Sequence, residues 1–481
     1  MSGSDRSERL VAEADRLLTE LFPLPRSLSG PGTRRTLDVL GDLAPFDVAD
    51  VPSGTRCFDW VVPDEWEATA AWIEVDGRRI VDLADSNLHL IGYSTAFDGE
   101  LTFDELLPHL HGLPDSPEAI PYRTSYYSRN WGFCLPQRTI DGLDRDATYR
   151  VHIAAEHTPG AIPVGERILP GTEGADEFLF TTYACHPSLA NDNLSGPVLW
   201  ALLLRELSQR TLRNTYRFVI APETIGMIAW LDRARAGATA PLDRVRGGYV
   251  LGSVAGPDGF SYKPSFLTLD GRRASIDRAA HLALEERGGY VAYPFEPIGS
   301  DERQLSTPGW RIPVGSVHRS KYHEYREYHT SLDDLDFVSA GSLVSTLDAY
   351  LAIVDNLEAD VRFRTAVPGS EPMLGRRGLY PGIGAAMRRH VTGPGTPTDD
   401  PTFGLPEEEP VDGERPDAEA FSWLAFYGDG QHRLLEVAET TGIAPARLAA
   451  AFARLEGAGV LERVVDPDDH PDRTAASGDV A

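Results

Sequence analysis

The stretch Thr182-Tyr183-Ala184-Cys185-His186-Pro187-Ser188-Leu189-Ala190-Asn191-Asp192-Asn193-Leu194-Ser195-Gly196 decides the fold. An apolar run of strand length, 178–185, leads into it, and apolar residues at helical spacing leave it over 194–209. In open α/β sheets, ligand-binding residues gather where strands end and helices begin, so His186 and Asp192 could converge on one ion. A neutral imidazole and a carboxylate both suit zinc. The plainer reading is a loop in which Asp192 or Asn193 caps the next helix. Neighbours on a strand point to opposite faces, so a thiolate–imidazole pair of Cys185 with His186 is not expected and Cys185 reads as packed.

Two further runs of strand length, 217–221 and 248–252, and a helical stretch at 276–287 repeat the strand–helix alternation of an α/β sheet flanked by helices. The first run ends in Pro222-Glu223-Thr224, an acid at a strand end. Further on, Gly299-Ser300-Asp301 sets an acid after a turn, and Tyr328-His329-Thr330 sets a histidine before a run of capping residues. Asp333 and Asp334 are expected to cap the following helix or to orient the imidazole. Between 56 and 155 the pattern has period two, in runs 57–62, 71–75, 79–83, 88–93 and 149–154 broken by Asp76-Gly77 and Asp98-Gly99, and predicts an inserted β-rich domain.

The 481 residues carry 45 Lys+Arg against 73 Asp+Glu, a formal charge of −28, which disfavours nucleic acid and anionic membranes as partners. No apolar run approaches a bilayer span, the polar start lacks a signal-peptide core, and three widely spaced cysteines suit a reducing compartment; a cytoplasmic location is expected. Nine acids between Asp399 and Glu419 against Arg415 alone, interspersed with prolines, mark 391–417 as a linker, and 466–481 reads as a disordered tail. Between them, 418–465 shows three helical patterns and a short apolar strand, a winged-helix-like unit. Its presumed recognition helix offers only Arg447 and Arg454, so protein contact or packing is favoured over DNA. A homo-oligomer through this unit or the β domain is left open.

In the order His186, Asp192, Glu223, Asp301, His329 the chain resembles the zinc-dependent aminopeptidases of the phosphorylase/hydrolase-like fold. More closely it resembles a bacterial aminopeptidase-like branch labelled polysaccharide-biosynthesis proteins. That likeness includes Pro25-Arg26-Ser27-Leu28-Ser29-Gly30, Val51-Pro52-Ser53-Gly54-Thr55, Phe58-Asp59-Trp60, Ser86-Asn87-Leu88-His89 and 122–134. The resemblance implies a zinc-peptidase-like mixed sheet over 1–55 and 156–390, with the β domain at 56–155. It also implies that His186, Asp192 and Asp301 hold one zinc ion, that His329 with Asp192 serves a second, and that Glu223 is the general base.

Two-metal members carry consecutive glutamates where this chain reads Glu223-Thr224. A hydroxyl is a poor zinc ligand, so one ion is expected. The expected activity is hydrolysis of an amide or peptide bond in a small biosynthetic intermediate. A metal-binding scaffold, or an amide-forming or cyclising enzyme, are the alternatives. Arg123, Tyr126, Tyr127 and Arg129, with Tyr328 beside His329, are candidates to grip the substrate, against the plainer reading of aromatic packing.

Overall fold

The computed structural model describes residues 3–173, 176–379 and 417–464. The 391–416 part of the expected linker and the expected tail lie outside them. Described residues up to Glu358 form one compact unit and those from Ala359 form a second.

The first unit is built on an eight-stranded mixed sheet. Its strands are β1 (Asp47–Pro52), β2 (Ala161–Leu169), β3 (Glu177–Tyr183), β4 (Thr215–Ala221), β5 (Val245–Leu251), β6 (Phe260–Lys263), β7 (Val291–Ala292) and β8 (Val314–Arg319), in the spatial order β1-β2-β4-β3-β5-β8-β6-β7. The central β4, β3, β5 and β8 run parallel. Every residue of β3 is buried, which is why it reads as a continuous apolar run rather than an alternating one. Helix α1 (Ser195–Ser208) packs on β3, α2 (Ile225–Arg235) on β2 and β4, and α3 (Ser275–Glu285) on β5 and β8. A Cβ at Gly196 would meet the Leu251 carbonyl at 2.3 Å, so only glycine lets α1 begin this close to the end of β5.

Between β1 and β2 lies a four-stranded antiparallel sheet in the order Arg78–Asp82, Glu65–Val75, Thr148–Thr158, Phe97–Thr102, with its own apolar core around Ile73, Phe133 and Tyr149. Asp76-Gly77 turns its first hairpin, both residues at positive φ. Two local expectations fail. Asp98-Gly99 lies inside the strand Phe97–Thr102, because Asp98 is held there by Arg150 and by His152 at 2.7 Å. Residues 88–93 form no strand: Ser86 caps a short turn, Asn87–His89, and only isolated bridges follow at Leu90 and Gly92.

The second unit holds helices Ala418–Phe426, Leu434–Thr441 and Pro445–Gly457 and a three-stranded sheet. That sheet is completed by Arg362–Thr365, which pairs with Asp429–Arg433 and Leu461–Arg463. The stretch 359–365, grouped by sequence with the large body, therefore belongs to this unit; four residues of which two are arginine leave no strand pattern to read. Arg447 pairs with Asp417 and Glu419, and Arg454 lies over the Phe421 ring, so both basic side chains of Pro445–Gly457 are engaged within the unit. Among the described residues no helix is long and apolar enough to cross a membrane.

Candidate metal centre

The strand ends build the site. Beyond β3 the chain runs through His186 into Asn191-Asp192-Asn193, and the two asparagines stitch that loop to its neighbours. Asn191 donates to the carbonyls of Arg319 and Ser320 at the end of β8, at 3.1 Å each, and accepts from the Ala255 amide at 3.0 Å. Asn193 donates to the Tyr183 carbonyl at 3.0 Å. Neither Asp192 nor Asn193 caps α1 through its side chain. Asp192 is carried between two anchors and left free to face the site.

Its surroundings are polar and buried. The Tyr183 hydroxyl donates to Asp192 Oδ1 at 2.7 Å. His329 Nε2 stands 3.0 Å from Oδ2, yet is buried with no hydrogen-bond partner, so the approach is close without being a hydrogen bond. One ligand atom each from His186, Asp192 and His329 lie within 4.8 Å of one another. Two histidines and a carboxylate aimed at a common point, one with an orphaned ring nitrogen, is a donor set that a divalent cation satisfies. Burial alone would push the Asp192 carboxyl up, but contact with His329, the charge of both imidazoles and the Tyr183 hydroxyl hold it down at about 2. Burial lowers His186 to about 4, which keeps it in the neutral form a metal needs.

Glu223 follows β4, with Oε2 3.9 Å from His186 Nε2. Burial pushes its carboxyl well up, and the charges of Asp301 and Asp192 push it further; Ser300 and Arg303 oppose this. Asp301, expected as a ligand, is not gathered with His186, Asp192 and His329. It is fully buried and spends Oδ1 on the Thr224 amide at 2.8 Å, while burial raises its carboxyl to about 7.

Cys185, His186 and Glu223 form a second close group. Cys185 Sγ lies 3.5 Å from His186 Nδ1, which corrects the expectation that the pair faces apart. β3 ends at Tyr183, so strand alternation no longer governs residues 185 and 186. Sγ and the Glu223 carboxylate fall on opposite ring nitrogens, and one imidazole can direct only one lone pair at an ion. Burial also raises the Cys185 thiol far above its ordinary value, consistent with its reading as packed.

Of the proposed gripping residues, Tyr328 stacks on His329, with ring centroids 4.0 Å apart at 12°. Tyr126 stands one step further out, its ring against Tyr93 at 5.4 Å and its hydroxyl paired with that of Tyr122. Tyr127, Arg129 and Arg123 are turned elsewhere. Tyr127 is exposed and donates to the Val61 carbonyl at 2.9 Å, Arg129 is exposed and pairs with Asp64 at 3.3 Å, and the exposed Arg123 acts on His111 and Cys134.

The residue of that stretch which reaches the centre is Tyr122. Its ring lies 5.1 Å from His186 and 5.2 Å from His329, and its amide donates to the His329 carbonyl at 2.8 Å. The arm 120–122 of the β insertion thus pairs with 329–331, clamping the histidine loop. Asp333 neither caps a helix nor touches the imidazole. It accepts the amides of Asn191 at 2.6 Å and Asp192 at 2.9 Å, and so fixes the loop that carries Asp192. Arg26 donates to the His186 carbonyl at 2.8 Å and Asn87 to Ser188 Oγ at 2.8 Å, giving the Pro25–Gly30 and Ser86–His89 motifs a role in holding the 186–188 turn.

Residues 15–360 match the family model described as Domain of unknown function (DUF4910). The chain is 36% identical over 460 residues to a Clostridium acetobutylicum protein named "Putative polysaccharide biosynthesis protein with aminopeptidase-like domain", covering 95% of this chain and 98% of that one. A solved structure of a "putative peptidase" from the same organism superposes with a TM-score of 0.81 at 34% identity, over 96% of this chain and 98% of that chain. A zinc aminopeptidase of Bacillus subtilis superposes with a TM-score of 0.51 at 15% identity, over 73% and 95% of the two chains, a likeness of fold.

Proposed function

The chain belongs to the DUF4910 family, and from that premise we propose that it is a zinc-dependent hydrolase of an amide or peptide bond in a small biosynthetic intermediate. The observation that carries this reading is the convergence of His186, Asp192 and His329 within 4.8 Å, with the Glu223 carboxyl 3.9 Å from His186. The relative's name supports polysaccharide biosynthesis as the setting and an aminopeptidase-like activity class.

His186, Asp192 and His329 would hold the ion. Zinc supplies Lewis-acid polarisation of the carbonyl and eases the ionisation of water. The rest falls to the chain's own groups. Glu223, a carboxylate made more basic by burial, accepts a proton from the attacking water and returns it to the departing nitrogen. Tyr122, whose ring lies against both histidines, and Tyr328, stacked on His329, would restrict solvent at the centre. Asp333 and Tyr183 keep Asp192 aimed without being consumed. The test is Glu223→Gln, which should keep zinc and lose turnover on any amide that the wild type cleaves; undiminished cleavage by the variant removes Glu223 as base.

A second reading, a metal-stabilised scaffold without turnover, draws on Thr224, which stands where two-metal peptidases place a carboxylate. Zinc-dependent release of an amine from any member of a broad amide panel would exclude it.

A further inference from the structure

On the Glu223 side, the site carries a cation that the hydrolytic reading does not use. Arg303 donates from Nη2 to the Thr224 hydroxyl at 2.7 Å, and its Nε is buried with no hydrogen-bond partner. Its charge reaches both Glu223 and Asp301 and holds each carboxyl down against burial. Among the described residues Arg303 forms no ion pair with a carboxylate. A guanidinium has five donors in a planar fork, and the hydrogen bond it makes here goes to a neutral oxygen. Bracing the Thr224 turn, where φ is +63°, needs one donor and no charge. The remaining donors and the charge suit a planar anion bound at two points.

We propose that Arg303 is a specificity-determining residue that receives a carboxylate of the substrate beside Glu223. The position that two-metal relatives give to a second ligand is engaged by a built-in cation: Thr224 supplies a hydroxyl, and Arg303 supplies the charge. A fixed guanidinium attracts an anionic group and repels an ammonium. The substrate class is therefore an amide bearing a carboxylate near the scissile bond, rather than a peptide presented by its free amino terminus. This deepens the amide-hydrolase reading and rests on it for the word substrate, while the binding it asserts needs no turnover.

The test is calorimetric titration of the zinc-loaded full-length protein with N-acetylglycine, its neutral analogue N-acetylglycinamide, the cationic glycinamide, and inorganic phosphate. Wild type, Arg303→Lys and Arg303→Gln are compared, with zinc content measured for each. The wild type should bind N-acetylglycine about tenfold or more tightly than N-acetylglycinamide, the effect of a charge-assisted hydrogen-bonded contact. That preference should vanish in Arg303→Gln and survive in part in Arg303→Lys, which keeps the charge without the fork, with zinc unchanged throughout. An equal preference in Arg303→Gln, tighter binding of glycinamide by the wild type, or no binding of N-acetylglycine overturns the proposal. Phosphate bound in preference to N-acetylglycine overturns the choice of carboxylate. Zinc binding and turnover with no anion preference would sink Arg303 alone. A preference retained in a protein that cleaves no amide would sink the hydrolase reading alone.

Discussion

Two buried aspartates in one site are held in opposite states. Asp192 accepts a tyrosine hydroxyl, touches a histidine and sits at about 2; Asp301 accepts one backbone amide, faces Glu223 and sits near 7. Both are buried, so desolvation is common to them and the difference lies in their partners. A carboxyl kept charged beside two imidazoles is prepared for a cation. A carboxyl kept close to neutrality beside a second one is prepared to tune where a proton resides. The resemblance to zinc aminopeptidases, which implies that Asp192 and Asp301 are both ligands, does not reveal this division.

The largest effect expected from that division is on the metal. Asp192→Ala should reduce bound zinc from about one equivalent to about a tenth or less, measured by atomic emission after dialysis, whereas Asp301→Ala should retain most of it. Equal loss in the two would erase the distinction. Next, Glu223→Gln should lower kcat by about 10²–10⁴-fold with zinc in place; zinc lost along with activity would move Glu223 to the metal side. Asp333→Asn, which weakens the hold on the Asn191-Asp192 amides, should reduce zinc affinity by about 10–100-fold, read by chelator competition.

The two aspartates should also respond to pH with opposite signs in the metal-free protein. Asp192 sits below the ordinary unfolded value of about 3.9, so its stabilisation is complete above about pH 4 and is lost as pH falls towards 2. Asp301 sits above that value, so the folded state holds the extra proton between about pH 4 and 7, and stability falls as pH rises through that window. Asp192→Asn should therefore lower the thermal midpoint more at pH 7, where about 2–3 kcal/mol of stability is lost, than at pH 3, where about 1 kcal/mol is lost. Asp301→Asn should raise it at pH 8 and leave it unchanged at pH 4. Matching signs would contradict the comparison. The smallest effects belong outside the site: Tyr127→Phe and Arg129→Ala, whose partners are Val61 and Asp64, should change kcat/KM by less than about twofold.

Much of this is legible in the sequence. The fully apolar run of β3, the helical spacing of α1 and the acids and histidines after strand ends predicted the sheet and placed His186, Asp192, Glu223 and His329 near one another. The rest depends on contacts that periodicity does not encode. Tyr122 reaches the histidines because a three-residue arm of the insertion pairs with 329–331, and nothing local distinguishes it from Tyr127 five residues on. Asp333 looked like a helix cap since capping acids and loop-anchoring acids share one residue type; only the distant amides of Asn191 and Asp192 tell them apart. Asp301 carried a ligand's signature, and its engagement with Thr224 is a tertiary fact. Strand alternation does not reach Cys185, which lies two residues past the strand's end and turns its thiol towards His186.

The central claim is that His186, Asp192 and His329 hold the cation while Glu223 stays free to move a proton. Anomalous diffraction at the zinc edge from crystals grown with zinc tests it most directly. A single peak at about 2.0–2.2 Å from a nitrogen of each histidine and an oxygen of Asp192 is the predicted result. A peak bonded to Cys185 and Glu223 instead would contradict the account, since it would turn the proposed base into a ligand.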